Sequence, residues 1–492
     1  MLLSPPPHFA RPPLDFIPPA YSAWVLRLVH GILPLLLRVR VRRWLPSGIA
    51  KIEATGAEIL ARLYHQFQEG QIRLVLAFRH VEVDDPLVGL YVLSRLVPEA
   101  ARRQGIRLRE PLHAHFLYDR GMPLWGGEWL GWLLSRLGGI PIRRGRRVDR
   151  VALKAARQLL LDGQFPFAIA PEGATNGHSE RINPLEPGMA QLCFWCAEDL
   201  AKAGRSETVI LLPIGIRYYY TDPSWTKLER LLARLEHLSG LTPPKPEPRS
   251  SRSPNLRYTQ RICRLAQHLL GQLEAFYDLP PFVSERDDKE PPLEQRLAPG
   301  HFNARLGRLL HKALETAETY FGLSPQGDWN SRCRRIEEVA WIQIYREELR
   351  HPGSLSPLQR GLLDWKAHQA TLYLQHMRLV ESCVAVQEEY LLSKPSFERL
   401  AETALILFDV LARLRGESYP ARPRLGWRGV HVTVGDPISV SERLERYCRG
   451  RQEAKQAVTE LTQDVFSFQF LFPISFSNLF PISRDPPKGE PA

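Results

Sequence analysis

Residues 72–86 read IRLVLAFRHVEVDDP, and the architecture can be worked out from this stretch. Ile72 to Phe78 is an apolar run that reads as a buried β-strand. His80 falls in the turn that follows. Asp85-Pro86 then reads as a helix start, with Asp85 as N-cap and Pro86 as first helical residue. Four residues separate His80 from Asp85 across that turn, close enough for the carboxylate to meet the imidazole. A carboxylate that orients a His holds it in the tautomer able to take a proton from a hydroxyl. A His near a capping Asp is common in proteins, so the pair alone assigns nothing.

The alternation extends outward. The apolar spacing predicts helices over Ala57–Gln68, Pro86–Val97, Gly131–Leu137, Val151–Leu161 and Gly188–Ala203. Strands are expected at Gly139–Arg143, Phe165–Ala170 and Thr208–Tyr218. Strands alternating with helices predict an α/β fold with a largely parallel sheet flanked by helices. After Tyr220 the texture changes. Leu228, Leu231, Leu232, Leu235 and Leu238 form a helical stripe, and Leu241 to Pro254 is a linker rich in Pro, Ser and charge. Helices are then expected at Arg257–Tyr277, Asn303–Phe321, Cys333–Leu349, Leu358–Leu392 and Ser396–Arg415. A strand signal returns only at Gly429–Val434, closed by Gly435-Asp436-Pro437, with a last helix over Val440–Val465.

This pattern predicts a large helical insertion within one α/β domain. The expected parts are a Pro-rich leader and interfacial helix (1–46) and the first part of the α/β domain (47–224). The helical insertion (225–425), the closing strand and helix (426–465) and an aromatic tail (466–492) follow. Val209–Ile216 and Val430–Val434 are expected to share one sheet.

The 492 residues carry a formal charge of +12, which favours anionic partners. A zinc finger, a recognition-helix signature and an aromatic-basic ribbon are all missing, so nucleic acid is not expected as a partner. Six cysteines in this length do not make a disulfide framework. Cys193 and Cys196 sit in a predicted helix and read as packed apolar residues, consistent with a reducing cytoplasmic location. No metal cluster with convincing spacing occurs.

Pro5, Pro6, Pro7, Pro12 and Pro13 argue against a secretory signal. Tyr21 to Leu37 is apolar but interrupted by Arg27, His30 and Pro34, so a spanning helix is not expected. Arg38, Arg40, Arg42, Arg43 and Trp44 follow. Apolar bulk, a basic flank and an interfacial Trp predict a helix lying in a membrane surface, on the cytoplasmic face.

Three further segments bear on chemistry: GGIPIRRGRR (138–147), APEGATNGHS (170–179) and LLPIGIRY (211–218). With His80 and Asp85 as block one, these four blocks resemble the glycerolipid acyltransferase family, best known from 1-acyl-glycerol-3-phosphate acyltransferases. Gly138, Pro141-Ile142 and Arg144 match block two, Pro171-Glu172-Gly173 block three, and Pro213 block four. The resemblance covers about residues 45–220, and GVHVTVGDPISV is similar to the family's closing strand. Arg79 stands where the family often has Asn, Pro141 where it has an aromatic residue, and Ala174-Thr175 where many members have Thr-Arg.

The resemblance implies acyl transfer from acyl-CoA or acyl carrier protein to the hydroxyl of a glycerolipid such as 1-acyl-glycerol-3-phosphate. No cofactor beyond the acyl donor is implied. His80 is expected to deprotonate the hydroxyl and Asp85 to orient His80. Arg144, Arg143, Glu172 and Gly173 are the expected binding residues for the acceptor's polar head. Ala174-Thr175-Asn176 is closer to the lysophospholipid branch, so the acceptor stays open. A non-catalytic membrane-surface protein on the same scaffold is the other alternative.

Overall fold

A computed structural model describes residues 9–42, 45–143, 149–242, 254–280, 301–383, 386, 388–417 and 420–479. The first helix is Ala23–Arg38 (α1), capped by the Ser22 side chain, and the strand Ile49–Thr55 (β1) follows. Ala57–Gln68 (α2) leads into Ile72–Phe78 (β2). The helix expected at Pro86–Val97 is an α-helix over Asp85–Tyr91 (α3) and a π-turn over Val92–Leu96, and a further helix, Val97–Arg103 (α4), runs on beyond the expected end. Then come His115–Asp119 (β3), Met122–Gly126 (α5), Glu128–Arg136 (α6) and Gly139–Ile142 (β4). Arg150–Asp162 (α7), Phe167–Ile169 (β5), Gly188–Lys202 (α8) and Thr208–Pro223 (β6) complete the first part.

The chain next runs through Trp225–Ser239 (α9), Pro254–Phe276 (α10), His301–Phe321 (α11) and Trp329–Ile344 (α12). Pro357–Cys383 (α13), Glu388–Ser393 (α14) and Phe397–Leu414 (α15) follow, so the helix expected over Leu358–Leu392 is interrupted. The chain returns as Gly426–Val434 (β7) and Ile438–Ser439 (β8). The helix expected over Val440–Val465 is Leu444–Cys448 (α16) and Arg451–Leu479 (α17). Gly450, at φ 157°, separates the two.

Eight strands form one sheet in the order β1-β7-β6-β2-β5-β3-β4, with β8 on β6. All pairings are parallel except β6 with β7 and β6 with β8. Tyr218 lies opposite Val430 and Ile216 opposite Val432, so the strand after the helical stretch pairs with the strand before it.

The β2 run is continuously apolar because both faces are covered. Leu74 and Leu76 join a core with α2, α3 and α4, whereas Val75 and Ala77 join one with α7, α8 and α17. Cys193 and Cys196 are buried in that second core, and burial pushes the Cys196 thiol up to about 12. Three strands were not anticipated: β1, whose residues are mostly half-buried or exposed, β3, which carries His115 and Asp119, and the two-residue β8.

The chain divides into two units. The α/β unit comprises Phe16–Arg143, Asp149–Pro223 and the chain from Gly426 onward. The helical unit comprises Ser224–Leu425, and the described residues 9–15 group with it. Ala10 N–H donates to Asp364 at 2.9 Å, and Arg11 N–H to the Ile344 carbonyl at 2.8 Å. Within this unit the α9 leucines Leu228, Leu231, Leu232 and Leu235 are buried, which is the burial their stripe requires. Arg261 joins Glu229 and Glu236, and Arg332 joins Glu318, so the buried charges are paired. The insertion's two ends meet, since Ser224 N–H donates to the Leu425 carbonyl at 2.9 Å.

Candidate functional site

His80 lies just past the carboxyl end of β2, where an open α/β sheet leaves its crevice. Its Nδ1 is 3.0 Å from Asp85 Oδ2. A carboxylate oxygen accepts, so Nδ1 carries the hydrogen and Nε2 presents the lone pair. The His80 side chain is 22% exposed and that of Asp85 fully buried. The exposed member of the pair is therefore the one able to exchange a proton.

Asp85 is not the N-cap expected from the sequence. Asp84 is the cap, and Asp85 opens α3. Freed from the cap position, the Asp85 carboxylate turns back across the loop. Oδ2 also accepts the Glu82 N–H at 2.9 Å, and Oδ1 accepts the Tyr218 hydroxyl at 2.6 Å. Asp84 uses its carboxylate elsewhere, accepting the Ser47 N–H at 3.1 Å and pairing with Arg428. Arg428 also donates to the Ser47 carbonyl at 2.9 Å, and its guanidinium sits 4.9 Å from the Tyr218 ring centre. Burial, then the charges of Asp85 and Asp84, push the Tyr218 phenol well above its usual value. Burial opposes the Arg428 charge, but Asp84 and Glu82 more than offset it, and Arg428 is raised.

Glu172 was expected to meet the acceptor's head, but its side chain is fully buried. Oε1 accepts the His80 backbone N–H at 3.0 Å. Oε2 accepts Asn176 Nδ2 at 3.2 Å and the Asn183 N–H at 3.1 Å. Burial raises its carboxyl, against the lowering effect of Arg79. A carboxylate engaged on these sides acts inside the protein. Gly173 occupies the turn after β5 at φ 72°, a conformation L side chains rarely adopt.

Arg79 is also fully buried. It donates to the carbonyls of Ser179 at 2.6 Å, His178 at 3.1 Å and Arg181 at 2.5 Å, and its Nε is 3.7 Å from Glu172. The guanidinium that replaces the expected Asn thus ties the block-three loop beneath His80. Asn176 is part of the same loop lock, accepting the His178 N–H at 2.9 Å.

Block two lies further off. Arg143 follows β4, three strands from β2 in the sheet order and roughly 14 Å away at the usual strand spacing. Its N–H donates to Asp149 at 3.0 Å. Arg144 lies outside the described residues. The structure therefore gathers His80, Asp85, Glu172 and Gly173 past the carboxyl ends of the neighbouring strands β2 and β5, and sets Arg143 apart from them.

Three members of this cluster escaped the sequence reading. Tyr218 is the last residue of block four, within β6, and offered no distinguishing signal there. Ser47 and Arg428 are remote in sequence from Asp84 and meet it only through β1–β7 pairing. Among the described residues no group of three or more His, Cys, Asp and Glu suits a metal ion.

No curated protein gives a match to this chain. Residues 113–217 match the family model described as Acyltransferase. The matched span runs from just before β3 into β6, so it holds blocks two, three and four and begins downstream of His80 and Asp85. Over this span the resemblance read from the sequence is borne out: residues 113–217 are similar to an acyltransferase domain, which supports an acyltransferase of the glycerolipid acyltransferase kind.

Proposed function

We propose that the protein moves a fatty acyl group from acyl-CoA or acyl carrier protein to a hydroxyl of a glycerolipid acceptor, such as 1-acyl-glycerol-3-phosphate or another lysophospholipid. The observation that carries this reading is the 3.0 Å contact between His80 Nδ1 and a buried Asp85 carboxylate. His80 Nε2 takes the hydroxyl proton as the oxygen attacks the thioester carbonyl. The tetrahedral species then collapses, the C–S bond breaks, and the thiolate recovers the proton from the imidazolium. Asp85 stabilises that imidazolium and fixes its ring. The thioester is already activated, so no acyl-enzyme is needed.

A lipid acceptor calls for attachment to a membrane, and one face of the α/β unit supports that reading. Helix α1 buries Val25, Leu26, Val29, Leu33 and Leu37 on one side. On the other it exposes Trp24, Leu28, Ile32 and Leu35, with Trp129 and Trp132 exposed on α6. Arg42 stacks on Trp129 at 5.3 Å and Arg136 lies 6.0 Å from the Trp132 ring. Exposed Trp and aliphatic residues rimmed by Arg suit attachment in the plane of an anionic membrane, on its cytoplasmic face. No helix among the described residues is long and apolar enough to cross a membrane.

The test is acyl transfer by the purified protein from acyl-CoA and from acyl carrier protein to a panel of lysophosphatidate and neutral-headgroup lysophospholipids. His80→Ala should cost on the order of 10²–10⁴ in rate while the protein stays folded. Near-normal turnover by that variant would exclude His80 as the base.

A further inference from the structure

We propose that Tyr218 is a positioning residue of the acyl-transfer site, locking the Asp85 carboxylate that orients His80, and that Arg428 on the returning strand locks Tyr218. The inference rests on the reading of His80 and Asp85 given above.

Asp85 has two carboxylate oxygens and they are treated differently. Oδ2 serves the site, accepting from His80 Nδ1 and the Glu82 N–H. Oδ1 faces the other way and accepts the Tyr218 hydroxyl at 2.6 Å. A carboxylate held through one oxygen can turn about its Cβ–Cγ bond. Held through both, its plane is fixed, and so is the direction in which Oδ2 meets the imidazole. Catalysis gains when a charge-stabilising group is already oriented before charge develops. The imidazolium formed on His80 is such a charge.

Tyr218 is suited to this task chemically. It is buried, and burial together with the two neighbouring carboxylates keeps its phenol protonated. It therefore remains a neutral donor and takes no part in the proton transfer itself. Besides Asp85, the titratable groups acting on Tyr218 and Arg428 are Asp84, Glu82 and Tyr220.

The ring needs its own support, and the β6–β7 pairing supplies it. Tyr220 lies opposite Arg428 and Tyr218 opposite Val430, so Arg428 is the diagonal neighbour of Tyr218 on one face of the sheet. Its guanidinium covers the Tyr218 ring at 4.9 Å and pairs with Asp84, the residue next to Asp85. Two adjacent carboxylates at the start of α3 are thus held by two residues on two neighbouring strands. A slip of one residue in β7 would turn Arg428 to the opposite face and release both.

The experiment uses the full chain, with oleoyl-CoA as donor and, as acceptor, whichever lysolipid of the panel the wild-type protein acylates. Tyr218→Phe removes one hydroxyl and keeps the ring. Its kcat should fall roughly 10- to 100-fold, the loss expected for a hydrogen bond to a charged group. KM for both substrates should stay within about twofold of wild type, since neither substrate touches Tyr218. The acid limb of the rate profile should move to higher pH, because a carboxylate relieved of its donor holds the proton on His80 more tightly. Tyr219→Phe, which removes a 2.8 Å bond to Glu53 outside the site, should keep both kcat and the profile.

A wild-type kcat and profile in Tyr218→Phe, with His80→Ala inactive, would overturn the role of Tyr218 and leave His80 as base. A lower kcat with an unmoved acid limb reports only a smaller active fraction and would also overturn it. An active His80→Ala would instead overturn the underlying reading. Should Tyr218→Phe fail to fold, Arg428→Lys serves in its place, keeping a cation for Asp84 but losing the planar cover of the ring. It should shift the acid limb in the same direction, and an unchanged profile would overturn the proposal.

Discussion

The carboxylate of Glu172 accepts the backbone N–H of His80 at 3.0 Å. The same group lies beside the buried Arg79 guanidinium, which holds three carbonyls of the loop carrying His178 and Ser179. Blocks one and three are therefore clamped by a buried ion pair, one member of which binds the backbone of the half-buried His80.

Glu172→Gln should destabilise the protein by about 3–5 kcal/mol, the cost of leaving a buried cation without its partner. The new amide would also direct hydrogens at Asn176 or at His80 N–H. Urea unfolding followed by circular dichroism measures the loss. A change under about 1 kcal/mol would show that Arg79 does not depend on Glu172.

Membrane attachment is expected to depend on surface side chains, because the other face of α1 belongs to the core. Trp24→Ser combined with Trp132→Ser should weaken flotation with anionic vesicles and leave the fold intact. Binding by the wild type should fall as salt rises, since each basic residue near the surface contributes about 1 kcal/mol. Salt-independent flotation, unaffected by both substitutions, would remove this face from the membrane.

Acid should destabilise the α/β unit through His113. This side chain is 2% exposed and burial lowers its imidazole from 6.5 to about 3. The unfolded chain takes the proton as pH falls through 6.5, whereas the folded protein takes it only near 3. The stability is therefore complete above pH 6.5 and is lost at about 1.4 kcal/mol per unit across that window. His115, lowered by burial in the same way, adds to the slope. Comparing urea unfolding at pH 7.5 and 5.5, His113→Gln should show a drop smaller than wild type by about 1 kcal/mol. An identical drop would mean that His113 takes its proton in the folded state too.

Gly426→Ala tests the returning strand. A Cβ there would lie 2.1 Å from the Asp222 carbonyl oxygen, a backbone atom that cannot swing aside. The substitution should cost about 1–3 kcal/mol in unfolding free energy. No measurable loss would be inconsistent with Gly426 pairing to Pro223.

The apolar run of β2 and the Thr208 strand were legible because both sheet faces are covered, so the residues carry no alternation to misread. The helical stripe of α9 was legible because its leucines repeat at the period of one buried face. Edge strand β1 was not, since Lys51 and Glu53 face away from any core, and β3 was masked by His115 and Asp119. The π-turn inside Val92–Leu96 and the break at Gly450 depend on local packing that apolar spacing does not encode.

For the site, the residues alone determined that His80 and Asp85 could meet, because only four residues and a tight turn separate them. Chain-local geometry fixes such a pair. Tertiary structure alone decided that Asp84 is the cap and that Glu172 faces inward, and it alone brought Tyr218 and Arg428 to the two carboxylates. These contacts join residues 92 to 344 positions apart. They exist only because parallel strands bring distant segments to one sheet end, and because β7, after some two hundred intervening residues, pairs with β6 in a single register.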